Sequence, residues 1–224
     1  MTQLPKLFIF DLDGVITDTA EFHFLAWQKL AEKIGVSIDR EFNEQLKGIS
    51  RMESLERIIA LDPSLSLSDE EKESLATDKN EYYKQLIESI GSENTLPGIE
   101  ELLKDIKASN VQIALGSASK NAQMVLDKLG LTTYFDYVVD AAKVAKGKPD
   151  PETFTTAADA LGISYENCIG VEDAAAGVQA INGANMFSVG VGSEEYLANA
   201  NYIVSDTLKL DFNQIIKEYT VWKK

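Results

Sequence analysis

The stretch LFIFDLDG, residues 7–14, decides how this chain reads. Four consecutive large apolar residues, Leu7 to Phe10, leave no polar face, which is the pattern of a strand buried on both sides of a parallel sheet. Two carboxylates follow at Asp11 and Asp13, and Gly14 permits a sharp turn directly after them. Side-chain alternation puts both acids on the same side, so they converge at the end of the strand.

Working outward, four similar runs recur: VQIALGS at 111–117, YVVDA at 137–141, NCIGVED at 167–173 and MFSVGVG at 186–192. Helical spacing fills the intervals from Ala118 to Leu129, Pro151 to Leu161 and Ala174 to Ile181. Strands alternating with helices predict an α/β fold with a doubly wound parallel sheet, whose ligand edge lies at the carboxyl ends of the strands. Residues 17–90 break the rhythm. Phe24, Trp27, Leu30 or Ala31, and Ile34 share a helical face, Leu55, Ile58 and Ile59 continue the pattern, and no strand-like run intervenes. The expected organisation is an α/β core domain from 1–16 and 91–224, resuming near Leu96-Pro97-Gly98, with an inserted helical cap domain at 17–90 over the mouth of the sheet.

A chain of 224 residues, 45% of them hydrophobic, can bury one sizeable core plus such an insertion, so a monomer is the expectation. The 36 acidic residues against 21 basic ones give a net charge of -15, which repels polyanions and argues against nucleic acid as a partner. An anionic substrate would need local bases. The N-terminal apolar run is far shorter than a signal sequence and no later stretch could span a bilayer, so no membrane partner and a cytoplasmic location are expected. The single cysteine, Cys168, sits in a strand-like run and reads as a buried structural thiol.

A carboxylate at a strand end can attack phosphorus to form an acyl phosphate, and a neighbouring carboxyl can serve as proton donor and acceptor. The plainer reading of Asp11 and Asp13 is a turn capped by aspartate. Glu172 and Asp173 close another strand-like run, and four acids at one edge are costly without a cation; hard oxygen ligands of this kind suit Mg2+. Helix N-capping would account for one of that second pair. Ser117 ends a further run, where its hydroxyl and the amides of Ala118 and Ser119 can hold a phosphate. In KVAKGKPDP, residues 143–151, Lys148 or Lys146 can supply positive charge to phosphoryl oxygens. Each of these also has an ordinary reading, as an N-cap serine or a solvated lysine. Arg51 and Lys47 could equally pair with Glu53 and Glu44 on a solvated helix, and His23, four residues after Thr19, reads by itself as a helix-surface residue.

Taken together, DLDGVITDTAEFHFLAW (11–27), QLKGISR (45–51), ALGSASKN (114–121), GKPDPETF (147–154) and IGVEDAAAGVQAI (169–181) resemble the haloacid dehalogenase superfamily of phosphotransferases, and within it the sugar-phosphate mutases. The likeness runs along essentially the whole chain. It implies that Asp11 is the phosphorylated nucleophile and a ligand of one Mg2+, and that Asp13 is the general acid and base with its backbone carbonyl on the metal. Glu172 and Asp173 would complete the magnesium site. Ser117 and Lys148 would hold the transferring phosphoryl group, and Ser119, Lys120 and Asn121 would lie near the second phosphate or the sugar. Gly48, Ile49, Ser50 and Arg51 match a segment that grips the distal phosphate, while Thr19, His23, Lys47 and Lys79 match positions linked to hinge movement and substrate engagement.

The implied activity is interconversion of β-glucose 1-phosphate and glucose 6-phosphate, with β-glucose 1,6-bisphosphate as primer and intermediate; the identity of the sugar comes from the resemblance alone. Two rivals stand beside it. A sugar-phosphate phosphatase of the same superfamily would use Asp11 but let Asp13 activate water. A signalling receiver is also phosphorylated on aspartate, yet receivers place an acid pair, not the phosphorylated residue, at the first strand and lack an insertion of this size.

Overall fold

The structure, a computed structural model, describes residues 4–224, so the first three residues of the expected core segment 1–16, and of the N-terminus in which no signal sequence was read, lie outside the described residues. Along the chain run β1 (Leu7–Phe10), α1 (Ala20–Lys33), α2 (Arg40–Glu44), α3 (Arg51–Ile59), α4 (Asp69–Leu86), α5 (Ile99–Ala108), β2 (Gln112–Leu115) and α6 (Ala122–Leu129). There follow β3 (Tyr137–Val138), α7 (Glu152–Ala160), β4 (Cys168–Glu172), α8 (Ala175–Gly183), β5 (Phe187–Val191), α9 (Glu194–Leu197), β6 (Tyr202–Val204) and α10 (Phe212–Trp222).

The six strands form one sheet in the order β3-β2-β1-β4-β5-β6, and every neighbouring pair is parallel. β1 is covered on both faces, as its apolar run requires. Phe8 and Phe10 join the cluster containing Leu103 and Ile106 of α5, Val125 of α6 and Ile216 of α10. Leu7 and Ile9, of opposite parity, join Phe154 and Ala157 of α7 and Ile181 of α8. Because β2 lies on one side of β1 and β4 on the other, the winding direction reverses beside β1, and a crevice opens at the carboxyl ends of these strands.

Three expectations are corrected in detail. The strand read over 137–141 is only Tyr137–Val138, because Asp140 turns the chain: its Oδ1 accepts from the Ala142 amide at 3.0 Å and its carbonyl from the Lys143 amide at 2.9 Å. The helix read from Ala118 starts at Ala122, since the Ser117 and Ser119 hydroxyls accept from the amides of Ser119 (3.1 Å) and Asn121 (3.2 Å) and bend the preceding residues into a loop. A sixth strand, Tyr202–Val204, was not anticipated; three residues at a sheet edge carry too little period to read. The other runs and the helices over 151–161 and 174–181 agree with the observed elements to within two residues.

Helices α1 to α4 lie consecutively between β1 and α5 and share an apolar cluster that includes Phe24, Trp27, Leu30, Ala31, Leu55, Ile58, Ile59 and Leu75, with Ile34 at its margin. Ser50 begins α3 as an N-cap and Ser68 begins α4 with a capping box closed by Glu71. The entering and leaving chains are fastened together, Leu96 N–H donating to Ile16 O at 2.9 Å and Thr17 Oγ1 to Asn94 O at 2.7 Å. Ala26, Tyr83, Ile87 and Ile90 nevertheless belong to the cluster beneath the sheet, so the insertion has its own core and a seam shared with the rest. Among the described residues, no helix is long and apolar enough to cross a membrane. Cys168 is fully buried, and burial followed by the charge of Glu166 pushes its thiol up to about 12.

Close contact between β4 and α8 depends on Gly170: a Cβ there would stand 2.5 Å from Ile181 Cγ1. Gly170→Ala is expected to lower unfolding free energy by about 1–3 kcal/mol through overpacking, read from the urea midpoint; an unchanged midpoint would mean that α8 yields without cost.

Candidate active site

The end of β1 places Asp11. Its amide donates to Val171 O on β4 at 2.9 Å, and its Oδ2 accepts from the Asp13 amide at 3.0 Å, which tightens the turn. Gly14 has φ of 75°, a left-handed conformation, and a Cβ on it would meet Asp173 Oδ2 at 2.1 Å. Glycine is therefore demanded twice here, by backbone and by space.

Lys148 Nζ donates to Asp11 Oδ1 at 2.6 Å and to Glu172 Oε2 at 2.7 Å, with all three side chains almost wholly out of water. Burial works against the lysine's charge, but Asp11 and Glu172 more than offset it, and Lys148 is held protonated. Glu172 is raised well above the usual carboxylate range by burial and then by Asp11. Asp173 is pushed up to about 7 by the same two causes in the same order.

Asp11, Glu172 and Asp173 each offer an oxygen within 4.8 Å of the others. One lysine against three crowded carboxylates leaves an excess of negative charge, which adds to burial in raising Glu172 and Asp173. Hard oxygen donors and uncompensated charge both fit Mg2+. The Asp13 carboxylate is not part of this trio, in keeping with the expectation that Asp13 meets the metal through its backbone carbonyl and not its side chain.

Asp13 faces the helical insertion instead. Thr19 Oγ1 donates to Asp13 Oδ1, and Tyr83 OH donates to Thr19 Oγ1 at 3.2 Å. His23 Nε2 lies 3.9 Å from Asp13 Oδ2, while its Nδ1 is 2.9 Å from Lys79 Nζ, which sits 4.4 Å above the Trp27 ring. Burial and then the nearby Asp11 push Asp13 up to about 8, so it can carry a proton at neutral pH although 27% of its side chain meets solvent. Burial, with Arg51 behind it, pushes Lys79 down to about 7. His23 falls well below its ordinary value through burial and then Lys79, and the neutral ring can accept the lysine's hydrogen bond.

A cleft of about 820 Å3, counting its open mouth, joins these groups to the remaining candidates. Ser117, Ser119, Lys120 and Asn121 line it from the sheet side; Lys47, Gly48, Ile49 and Arg51 line it from the insertion. Ser50 does not line the cleft; its Oγ accepts from the Glu53 amide at 3.3 Å as the cap of α3. Lys47 does pair with Glu44, at 2.9 Å, while Arg51 leaves Glu53 to Arg57 and donates to Asn80 Oδ1 at 2.7 Å. Of the two loop lysines, Lys146 points outward, its side chain 74% exposed, whereas Lys148 reaches Asp11.

Sequence reading missed Trp27, Asn43, Asn80 and Tyr83. Asn80 follows Lys79 directly, and Trp27 and Tyr83 lie four residues beyond His23 and Lys79, one helical turn along the same faces. Asn43, inside a five-residue helix, carried no such signal.

The model of the haloacid dehalogenase-like hydrolase family matches residues 5–185. A β-phosphoglucomutase from Bacillus subtilis (strain 168) is 45% identical over 219 residues, 97% of each chain. A phosphorylated carbohydrates phosphatase from Thermotoga maritima is 31% identical, covering 80% of this chain and 81% of the relative. Among solved structures, a β-phosphoglucomutase from Clostridium difficile superposes with a TM-score of 0.96 at 53% identity, covering 98% of this chain and 99% of that one.

Two measurements examine the site. Millimolar Mg2+ added to chelator-treated protein is expected to raise the thermal midpoint, and Asp173→Asn to remove most of the rise; an equal rise in the variant would exclude the carboxylate trio as the binding site. The second concerns Lys79, which releases its proton at about 7 when buried but at 10.5 when unfolded. Between those values unfolding takes up a proton, so stability rises with pH. Urea titrations should find the wild type gaining stability relative to Lys79→Met as pH rises through this window.

Proposed function

The chain belongs to the haloacid dehalogenase-like hydrolase family, and from that membership we propose that it acts as a β-phosphoglucomutase, interconverting β-glucose 1-phosphate and glucose 6-phosphate. The observation that carries the reading is the division of labour between Asp11 and Asp13. Asp11 is held by Lys148 among the metal-competent carboxylates, and Asp13, two residues on, accepts from Thr19 of the insertion while burial and then Asp11 push its carboxyl up to about 8.

In the forward direction an Asp11 carboxylate oxygen bonds to phosphorus as the bond from phosphorus to the sugar oxygen breaks, and Asp13 gives its proton to that oxygen. In the reverse sense Asp13 takes the proton of a sugar hydroxyl, which attacks the aspartyl-phosphate. Transfer to one hydroxyl and recovery from the other gives net isomerisation through β-glucose 1,6-bisphosphate, which also primes the enzyme. Lys148, bonded to Asp11, and the Ser117 hydroxyl on the cleft wall would meet the charge that builds on the phosphoryl oxygens, and donors fixed in advance lower that barrier. Mg2+, which Asp11, Glu172, Asp173 and the Asp13 carbonyl would hold, supplies charge neutralisation at the phosphoryl group.

Residues 17–90 act as the cap. Arg51, with Ser119, Lys120 and Asn121 opposite, would take the phosphate that is not reacting, and Thr19, His23 and Lys79 tie the position of the cap to Asp13. A closed cap keeps water from the aspartyl-phosphate, and this favours a sugar hydroxyl over water as acceptor. The phosphatase relative is also the more distant, at 31% identity against 45%. The enzyme is read as a cytoplasmic monomer.

Glucose 6-phosphate formation from β-glucose 1-phosphate, with a trace of the bisphosphate, tests the reading. Asp11→Asn is expected to lower the rate by at least about a thousandfold, the scale of losing a covalent nucleophile. Rapid release of inorganic phosphate without isomerisation would overturn mutase activity, and full turnover by Asp11→Asn would overturn the covalent route.

A further inference from the structure

Lys148 reaches Asp11 from a stretch without regular structure, between Val138 at the end of β3 and Glu152 at the start of α7. Its own side chain is fully buried, yet Ala145, Lys146 and Pro149 beside it are exposed. Apolar packing therefore does little to hold this stretch, and ordering it costs backbone entropy. Some other contact must fix the place of the lysine.

Glu152, the first residue of α7, turns its carboxylate back onto the loop. Its Oε1 accepts from the Ala145 amide at 2.7 Å and its Oε2 from the Lys146 amide at 2.8 Å. The link closes a ring of chain with Lys148 inside it. Asp150 tightens the return: its amide donates to Gly147 O at 3.0 Å, and its Oδ1 accepts from the Glu152 amide at 3.1 Å. The anchor itself is firm, because Phe154 and Ala157 seat α7 against Leu7 and Ile9 of β1, the strand that ends at Asp11. Lys148 and Asp11 are thus referred to the same strand. Amide bonds to a carboxylate belong to the stronger, charge-assisted class. A carboxamide here would offer one acceptor oxygen and set its NH2 against the other amide.

We propose that Glu152 is a positioning residue for phosphoryl transfer: by clasping the amides of Ala145 and Lys146 it fixes the loop that carries Lys148, and so fixes the ammonium against the phosphoryl group on Asp11. This rests on phosphoryl chemistry at Asp11, which the mutase and phosphatase readings share. The Lys148 ammonium bonds Asp11 and Glu172, so the influence of Glu152 passes through the backbone and not through a contact between the two side chains. Alignment is the quantity at stake, since misplacing a catalytic group by about 1 Å can cost on the order of a hundredfold in rate. The loss falls on the chemical step, because Arg51, Ser119 and Asn121 line the cleft from other elements.

Two variants test it, Glu152→Ala and the near-isosteric Glu152→Gln, with thermal melting as a check that both fold. For Glu152→Ala, kcat on β-glucose 1-phosphate should fall by about tenfold or more while KM stays within about threefold, with Glu152→Gln between it and wild type. Hydrogen exchange read by mass spectrometry should quicken by about tenfold over residues 143–148 in Glu152→Ala and stay unchanged in α10, because only the loop is released. A kcat for Glu152→Ala within about twofold of wild type, KM rising as much as kcat falls, or unchanged exchange over 143–148 overturns the proposal. Should wild type release inorganic phosphate without isomerising, the mutase reading fails, and the same comparison run on phosphate release still decides the clasp.

Discussion

The contact on which the rest of this structure depends is the pair of hydrogen bonds from Lys148 to Asp11 and Glu172. Three ionisable groups are removed from water at the meeting point of β1, β4 and the loop before α7, an arrangement tolerated only when geometry is close and each charge has a partner. The sheet supplies that geometry. Parallel pairing of β1 with β4 sets Phe10 beside Val171, so the acids that follow each strand emerge side by side. Phe154, its ring 5.0 Å from Lys148 Nζ, closes one flank with apolar surface. The same enclosure that makes the charges costly makes them effective, because fields act more strongly where water is excluded.

Asp11 and Asp13 are separated by one residue, yet they answer to different halves of the molecule. Asp11 is bound by residues of the sheet half, and Asp13 by Thr19 and, through it, Tyr83 of the insertion. That division suits a reaction in which one carboxylate must stay ionised to attack phosphorus while its neighbour exchanges a proton. It also gives the insertion a purpose beyond shelter, since moving it moves the partners of Asp13. The cleft is lined from both sides, and the carboxamide oxygen of Asn80 accepts a hydrogen bond from each of them.

The resemblance between this chain and the β-phosphoglucomutases extends into the insertion, and that is where mutases and phosphatases of one family have room to differ. The covalent chemistry on Asp11 is common to both readings. Under the proposed mechanism what separates them is how well water is kept out and how firmly a second phosphate is held, and Arg51 and Lys47 are the cations that the insertion contributes to the cleft wall.

Sequence alone determined what depends on local pattern. Four apolar residues in a row required a strand sealed on both faces, a D-x-D-G turn put two acids at its end, and the helical period of Phe24, Trp27 and Leu30 marked the insertion. Pattern reports which faces of an element are buried, because period follows from backbone geometry. It does not report what lies against those faces. Lys148 and Asp11 are 137 positions apart, and the proline that follows Lys148 only favoured it over Lys146; packing decided it by burying one and leaving the other in solvent. Spacing from Lys79 marks Asn80 and Tyr83 as neighbours on one helix but does not name their partners, which lie 29, 41 and 64 positions distant. Even the start of α6 was settled by hydroxyl groups of Ser117 and Ser119 competing for backbone amides, a choice between local hydrogen bonds that side-chain period cannot register.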